Sequence, residues 1–535
     1  MKASSSKSLL RSGAALVIAL GIFFRLYHLD YKAFSEDEAT TLMHVIGLTE
    51  AEAVRQAANF RHVYDLEAAL HPSVGLRSCK QTIDTLRLED PQHPPLYYLI
   101  ARQWIGLVGN SRVDLRLLSA VIGILALPCM GWLCLELFGS TDAALAGAAL
   151  LAASPVEVLY SQEVREYGLW LVFILITCAL LLRALRTESR ATWALYGIAC
   201  ALGLYTYTVA ILVMGAHAAV VLHSRTSRRN LAYAFGAMLA GVALYLPWVA
   251  ICLTGLDQIN KGMATINHAQ VAVAGSAKML AAMFRTSVLD LNGTHEPIKA
   301  LSSLPILGFV AYILFDLRRS RSKNGPLLIW TLAACTTLPF LFADLWLGGA
   351  RISATRYFIP LFVALDLATV ALIARWLSGS GEPVSIGRRF AFVAVIGLLF
   401  AAKLGSCMLS ANAETWWSKD NIRSLEVAAV VNRSPHAILI SDNYVGWIFA
   451  TAEYLEPQTD VALRPRCYLC APRPAAPVDL RLLRDDPAIR DAFALGPSKS
   501  LQAQITETIA AVQPDVKYRC IDIRDNCLSP VALYR

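Results

Sequence analysis

Apolar residues run along this chain in long blocks, not at a strand or amphipathic-helix period. Blocks near 12–29, 114–137, 141–158, 167–184, 231–252, 299–316, 326–347, 357–377 and 389–409 are each about 17 to 24 residues long, the length that crosses a bilayer as a helix. Lys and Arg gather in the polar gaps: Arg183, Arg186 and Arg190; Arg225, Arg228 and Arg229; Arg318, Arg319, Arg321 and Lys323; Arg375, Arg388 and Arg389. Short cytoplasmic loops collect such residues and each crossing switches sides, so all four clusters are expected in the cytoplasm. Both ends of 192–222 are then inside, and its 31 residues cross an even number of times, as a short hairpin with its tip near 205–208. Counting back from Arg183, SQEVREYG (161–168), Arg116 and Asp30 fall outside. The apolar run 96–108 then lies in the interface or re-enters from the outer side. The pattern predicts eleven crossings of a plasma (inner) membrane, with the N-terminus cytoplasmic and the C-terminus extracytoplasmic.

Composition fixes the class. Of 535 residues, 56% are hydrophobic and 16% charged, against about 25% charged in soluble proteins, which excludes a compact soluble globule. The net charge of +8 is spread as topology charge, so no nucleic-acid partner is expected. Block 12–29 follows Lys2, Lys7 and Arg11 like a signal peptide, but Arg25 interrupts its end and no small-x-small cleavage site follows; a retained anchor is expected. Beyond 410 the chain is less apolar. HAILIS (436–441) reads as a strand, 444–455 as a helix and VKYRCIDI (516–523) as a second strand, which suggests a small α/β domain. The expected organisation is a mostly α, polytopic membrane module over 1–410, with a long first outer loop at 30–113, followed by an outer domain at 411–535. Cys129, Cys134, Cys178, Cys200, Cys252, Cys335 and Cys407 fall in apolar segments as ordinary small core residues. Cys467, Cys470, Cys520 and Cys527 in the tail fit disulfides, free thiols or, at a longer spacing than zinc ribbons use, a metal; Cys79 stands alone.

Four polar constellations fall on the outer face. Glu36, Asp37 and Glu38 follow the first block; three adjacent carboxylates near a low-dielectric interface can raise a pKa and supply a general base, or simply cap a helix. In DPQHPPLYYL (90–99) two prolines set a turn that places His93 at the surface. Gln162, Glu163, Arg165 and Tyr167 crowd a loop of about eight residues between two crossings, a density of polar groups that membrane proteins reserve for function. Arg356 and Tyr357 stand at the mouth of the tenth crossing, where Arg can grip a phosphate and Tyr can belong to the interfacial aromatic belt. Together they describe a base facing a phosphate clamp, suited to group transfer from a lipid phosphate. A transporter or flippase would also carry intramembrane charge, but near the midplane and in repeated halves.

The stretches FRLYHLDYKAFSEDEA (24–39), HPPLYYLI (93–100), LRLLSAVIG (115–123), SPVEVLYSQEVREYGLW (154–170), LYTYTVA (204–210) and RYFIPLFVAL (356–365) resemble the GT-C type glycosyltransferases of the protein O-mannosyltransferase and aminoarabinose transferase superfamily, over about residues 10–410. The resemblance implies a GT-C fold and transfer of a sugar from a polyprenyl-phosphate donor to a protein, lipid or glycan acceptor. It implies Asp37 as base with Glu38 beside it, and His93, Arg165 and Arg356 as donor-phosphate contacts. It also implies a cavity lined by Gln162, Glu163, Tyr167, Tyr207 and Tyr357. No cofactor or metal ligand is expected, and a divalent metal stays open. A lipid-linked glycan ligase or polymerase would use similar charges.

Overall fold

In the computed structural model, residues 2–521 are described apart from 73–77, 268, 270, 272, 293–295, 320–323, 378–384, 418–423, 469–476 and 513–515. The chain opens with the apolar helix α1 (Lys2–Leu26) and continues through short helices α2 (Glu36–Ile46), α3 (Glu50–Ala57), α4 (Val63–Leu70), α5 (Cys79–Glu89) and α6 (Leu96–Leu107). The bundle follows as α7 (Arg112–Phe138), α8 (Thr141–Ala152), α9 (Pro155–Tyr160), α10 (Tyr167–Thr187), α11 (Arg190–Thr206), α12 (Ala210–His223) and α13 (Arg228–Thr254). Three short helices, α14 (Leu256–Gly262), α15 (Ala264–Asn267) and α16 (Val273–Thr286), lead to α17 (Glu296–Asp316), α18 (Asn324–Leu347), α19 (Ile359–Leu377) and α20 (Ile386–Ala411).

Helices stand at each predicted crossing. Among the described residues seven are long and apolar enough to cross a membrane, running through α7, α10, α13, α17, α18, α19 and α20, while α8 and α12 are shorter apolar helices. The stretch 192–222 is indeed a helix pair, α11 and α12, broken at 207–209. The run 96–108 is the 12-residue α6, too short to cross. One predicted crossing is interrupted: 141–158 divides into α8 and α9 because Pro155 has no N–H to continue the ladder. The freed carbonyls are answered from α1, where Arg25 donates to Ala152 O at 2.8 Å and Leu151 O at 3.0 Å. The two helices touch closely there, since a Cβ on Gly21 would lie 2.3 Å from Ala152 O.

The helix ends segregate by chemistry. At one end Arg183 and Arg186 pair with Glu136, Arg11 with Asp142, and Arg319 and Arg375 with Asp316. At the other end lie the start of α2, the 161–166 loop, the α11–α12 tip and residues 355–358.

After α20 the chain forms a parallel four-stranded sheet with strand order β2-β1-β3-β4. Its strands are β1 (Ala437–Ser441), β2 (Asp460–Leu463), β3 (Asp491–Leu495) and β4 (Lys517–Ile521), and its helices are α21 (Ser424–Val431), α22 (Val445–Ala452), α23 (Arg481–Asp485) and α24 (Lys499–Val512). β1 is buried throughout, as parallel strands covered on both faces require. Cys467 is disulfide-bonded, Cys79 is an exposed free thiol, and Cys470 and Cys527 lie outside the described residues.

The sheet is tied to the first polar segment. Val461 N donates to Arg61 O at 2.8 Å and Val63 N to Thr459 O at 3.0 Å, so that segment covers the β2 edge. Phe34 N donates to the Tyr454 hydroxyl at 2.8 Å, and His71 Nε2 meets Glu453 Oε1 at 2.5 Å. Burial opposes charge on His71, but its bond to Glu453 outweighs this and raises the imidazole above its ordinary value. A raised histidine contributes stability that is fully present below its unfolded value, about 6.5, and is lost as pH rises through the folded value. The parent should therefore lose more thermal stability than His71→Gln between pH 6 and pH 9; parallel melting profiles would remove this tie.

Candidate active site

The site begins at the first turn of α2. Ser35 caps the helix and Glu38 completes a capping box, with Ser35 N donating to Glu38 Oε2 at 3.0 Å and Glu38 N to Ser35 Oγ at 3.3 Å. Glu38 is fully buried. Its carboxylate receives two parallel bonds from Arg116, both 2.9 Å, and one from Val164 N at 3.1 Å. Arg116 spends its remaining donors on Leu29 O, Lys32 O and Ala33 O. Glu38 and Arg116 thus lock the 29–33 segment after α1, α2, α7 and the 161–166 loop together, so the committed oxygens of Glu38 correct the expectation that it works beside Asp37 as a catalytic group. Asp37 itself is exposed, and its charge acts on Arg165, Tyr167 and Arg356.

His93 is presented by a pinned turn. Asp90 closes α5, Pro91 O accepts from Trp248 Nε1 at 3.0 Å, and Gln92 O accepts from Thr208 Oγ1 at 3.2 Å. The turn is thereby bound to α13 and to the α11–α12 tip. Asp90 Oδ2 lies 2.7 Å from His93 Nδ1. Burial would raise the Asp90 carboxyl, but His93 beside it wins and holds it down at about 2.

Arg165 is the hub. It donates to Thr41 Oγ1 at 3.0 Å, to His93 Nε2 at 3.1 Å and to the Tyr167 hydroxyl at 3.3 Å. Burial works against its charge, yet Glu166, Tyr167 and Asp37 hold it firmly protonated. Arg356 differs. It is half-buried, its guanidinium lies 5.4 Å from the Tyr357 ring centroid, and it feels Tyr167, Tyr207 and Asp37. Among the described residues it makes no hydrogen bond and no ion pair.

Aromatic rings line the space between these groups. Tyr207 packs on Trp170 at 4.7 Å, on Tyr167 at 6.1 Å and on Tyr357 at 6.3 Å, while Tyr357 stacks on Phe340 at 4.8 Å. Glu163 is buried, with its charge acting on Arg116 and Tyr160. Gln162 does not line the cavity as expected: its Nε2 donates to Phe24 O and Tyr27 O, both at 2.8 Å, answering carbonyls at the end of α1. Glu166 and Tyr98 also belong to this site, though neither is among the residues expected from the sequence. Glu166 is fully buried, neither of its oxygens has a hydrogen-bond partner, and the same holds for the Tyr98 hydroxyl. A fifth polar residue inside an already dense loop is the available signal for Glu166; nothing in the sequence marks Tyr98. Among the described residues no group of three or more His, Cys, Asp or Glu is placed to hold a metal ion.

Residues 92–251 match the family model described as dolichyl-phosphate-mannose-protein mannosyltransferase. No curated protein matches the chain. Among solved structures, the chain is similar to ArnT from Cupriavidus metallidurans bound to undecaprenyl phosphate, with 13% identity, 96% of this chain and 90% of that one covered, and a TM-score of 0.52. It also aligns with the apo oligosaccharyltransferase of Archaeoglobus fulgidus at 13% identity and a TM-score of 0.48, over 84% of this chain and 64% of the length of that protein. The fold is that of the GT-C glycosyltransferases.

Proposed function

We propose that this chain is a membrane glycosyltransferase that moves a sugar from a polyprenyl-phosphate donor to an acceptor on the extracytoplasmic side. The observation that carries the reading is Arg356: a half-buried guanidinium without hydrogen bond or ion pair among the described residues, set among tyrosines with the exposed Asp37 nearby. A half-buried cation with spare donors is a place for an anion, and a planar fork suits a phosphate. The match to a dolichyl-phosphate-mannose family model and the likeness to a protein that binds undecaprenyl phosphate support a lipid phosphate as that anion.

In the proposed reaction Asp37 takes the proton of the acceptor hydroxyl as its oxygen attacks the anomeric carbon. The carbon–oxygen bond to the phosphate breaks, the polyprenyl phosphate leaves, and the sugar inverts in a single displacement. Arg356 and Arg165 neutralise the charge gathering on the departing phosphate. His93 completes that cradle, Glu38 positions α2 through Arg116, and Tyr167, Tyr207 and Tyr357 wall the cavity. Every step uses the chain's own side chains, with no cofactor.

The clamp is tested by binding polyprenyl phosphate to detergent-solubilised protein and melting the same samples. Arg356→Ala should keep the parent's melting temperature and weaken lipid binding roughly 10- to 150-fold, the worth of about 1.5–3 kcal/mol for a charge-assisted contact. Lys should rescue only in part, because it loses the two-point contact. Unchanged affinity would remove Arg356 from the clamp. For orientation, a cysteine at exposed Asn59 should react with an impermeant thiol reagent on intact cells and one at exposed Thr187 should not; the reverse pattern would overturn the proposed sidedness.

A further inference from the structure

His93 stands between two carboxylates, and only one of them has a hydrogen bond. Asp90 Oδ2 holds Nδ1 at 2.7 Å, while Glu166 Oε1 lies 3.5 Å from Nε2 on the other side of the ring. Glu166 is fully buried with neither oxygen hydrogen-bonded, a state that costs free energy unless a proton donor reaches it in some form of the enzyme. What keeps His93 from being that donor is Arg165. A guanidinium can only donate, so its contact with Nε2 at 3.1 Å requires Nε2 to carry a lone pair, with the single ring proton on Nδ1 facing Asp90.

The buried charges around the ring do not balance. Asp90 and Glu166 supply two negative charges, and Arg165, 3.7 Å from Glu166, supplies one positive. The other titratable groups nearby are His44, which acts on Asp90 and has its own partner in Glu89, the hydroxyls of Tyr97, Tyr98, Tyr167 and Tyr207, all of which Glu166 acts upon, and the exposed Asp37, which acts on Arg165. A second positive charge at the imidazole would balance the buried set.

We infer that Glu166 is a positioning residue that makes donor binding take up a proton. The inference rests on the donor-phosphate reading above. An arriving phosphate draws the Arg165 N–H away from His93 Nε2, Nε2 accepts a proton from solvent, and the new N–H turns to Glu166 Oε1. The imidazolium is then held by Asp90 on one side and Glu166 on the other, beside a phosphate that gains charge as it departs. In the empty site the same proton would meet the Arg165 donors, so uptake is coupled to occupancy.

The experiment is calorimetric titration of the full-length, detergent-solubilised protein with methyl farnesyl phosphate, a phosphodiester that stays singly ionised throughout the range used. Titrations at pH 8 in buffers of different ionisation heat read the protons exchanged per lipid bound. The parent should take up as much as about one proton per lipid, the single N–H that His93 Nε2 gains. Glu166→Gln, which keeps shape but not charge, should bind the lipid with uptake reduced at least threefold, and His93→Gln should abolish uptake. Glu166→Asp should restore it in part, which a merely structural role for the side chain would not do. Lipid binding by the parent without proton uptake overturns the inference, as does full uptake by Glu166→Gln. No binding of the phosphodiester by the parent would instead overturn the donor-phosphate reading, and this inference with it.

Discussion

Asp37→Asn is expected to fold, to bind the donor lipid and to turn over roughly two to four orders of magnitude more slowly than the parent, the range for losing a general base. Asn keeps the shape of the side chain and removes only its basicity. Asp37 is exposed, so the change disturbs no buried packing, and the Thr41 Oγ1 bond goes to its backbone carbonyl, which the substitution leaves in place. The loss should appear in kcat, with lipid affinity slightly improved or unchanged, because one negative charge near Arg165 and Arg356 disappears. Steady-state kinetics with the polyprenyl-phosphate sugar as the varied substrate separates the two effects. Turnover near that of the parent would take the base role away from Asp37.

Arg116→Met should cost the most stability of any single change at this end of the molecule. It strips both nitrogens from the Glu38 carboxylate and leaves three backbone carbonyls, those of Leu29, Lys32 and Ala33, without their donor. Breaking one partner out of a buried ion pair typically costs about 3–5 kcal/mol, since the remaining charge stays buried and unpaired. Combining Arg116→Met with Glu38→Gln should recover part of the loss, because the orphaned charge is then gone. Thermal unfolding of the four proteins in one detergent reads the cycle. A melting temperature for Arg116→Met equal to the parent's would deny the pair its bracing role.

Block length and Arg placement were enough to locate the membrane helices, including the α11–α12 pair that no single hydropathy window resolves. Parity also kept α6 from being taken for a crossing. The break between α8 and α9 was signalled only by Pro155, and the interruption depends on Arg25 reaching from another helix. In the tail, β1 and β4 were visible as apolar strands at 436–441 and 516–523. β2 (DVAL) is only four residues long, and β3 (DAFAL), though as long as β1 and β4, opens on Asp and carries two Ala, both poor strand formers, so neither announces itself. At the site, local motifs brought out residues that the structure draws together, but not which of two adjacent carboxylates is buried in an ion pair with Arg116. Glu38 is consumed by Arg116, 78 residues away, and Gln162 by carbonyls of α1, 138 and 135 residues away. Long-range pairing decides such roles, and one sequence does not display it.

The most direct measurement follows the donor. Membranes from cells expressing the parent or Asp37→Asn are supplied with polyprenyl-phosphate sugar labelled in the sugar, and mass spectrometry tracks label into polyprenyl-linked, protein, lipid and glycan fractions. The proposed reaction predicts that the parent consumes the donor, releases polyprenyl phosphate and moves the intact sugar into one acceptor fraction, while Asp37→Asn leaves the donor unspent. Donor that remains intact with the parent, or that is consumed equally by both proteins, would contradict it.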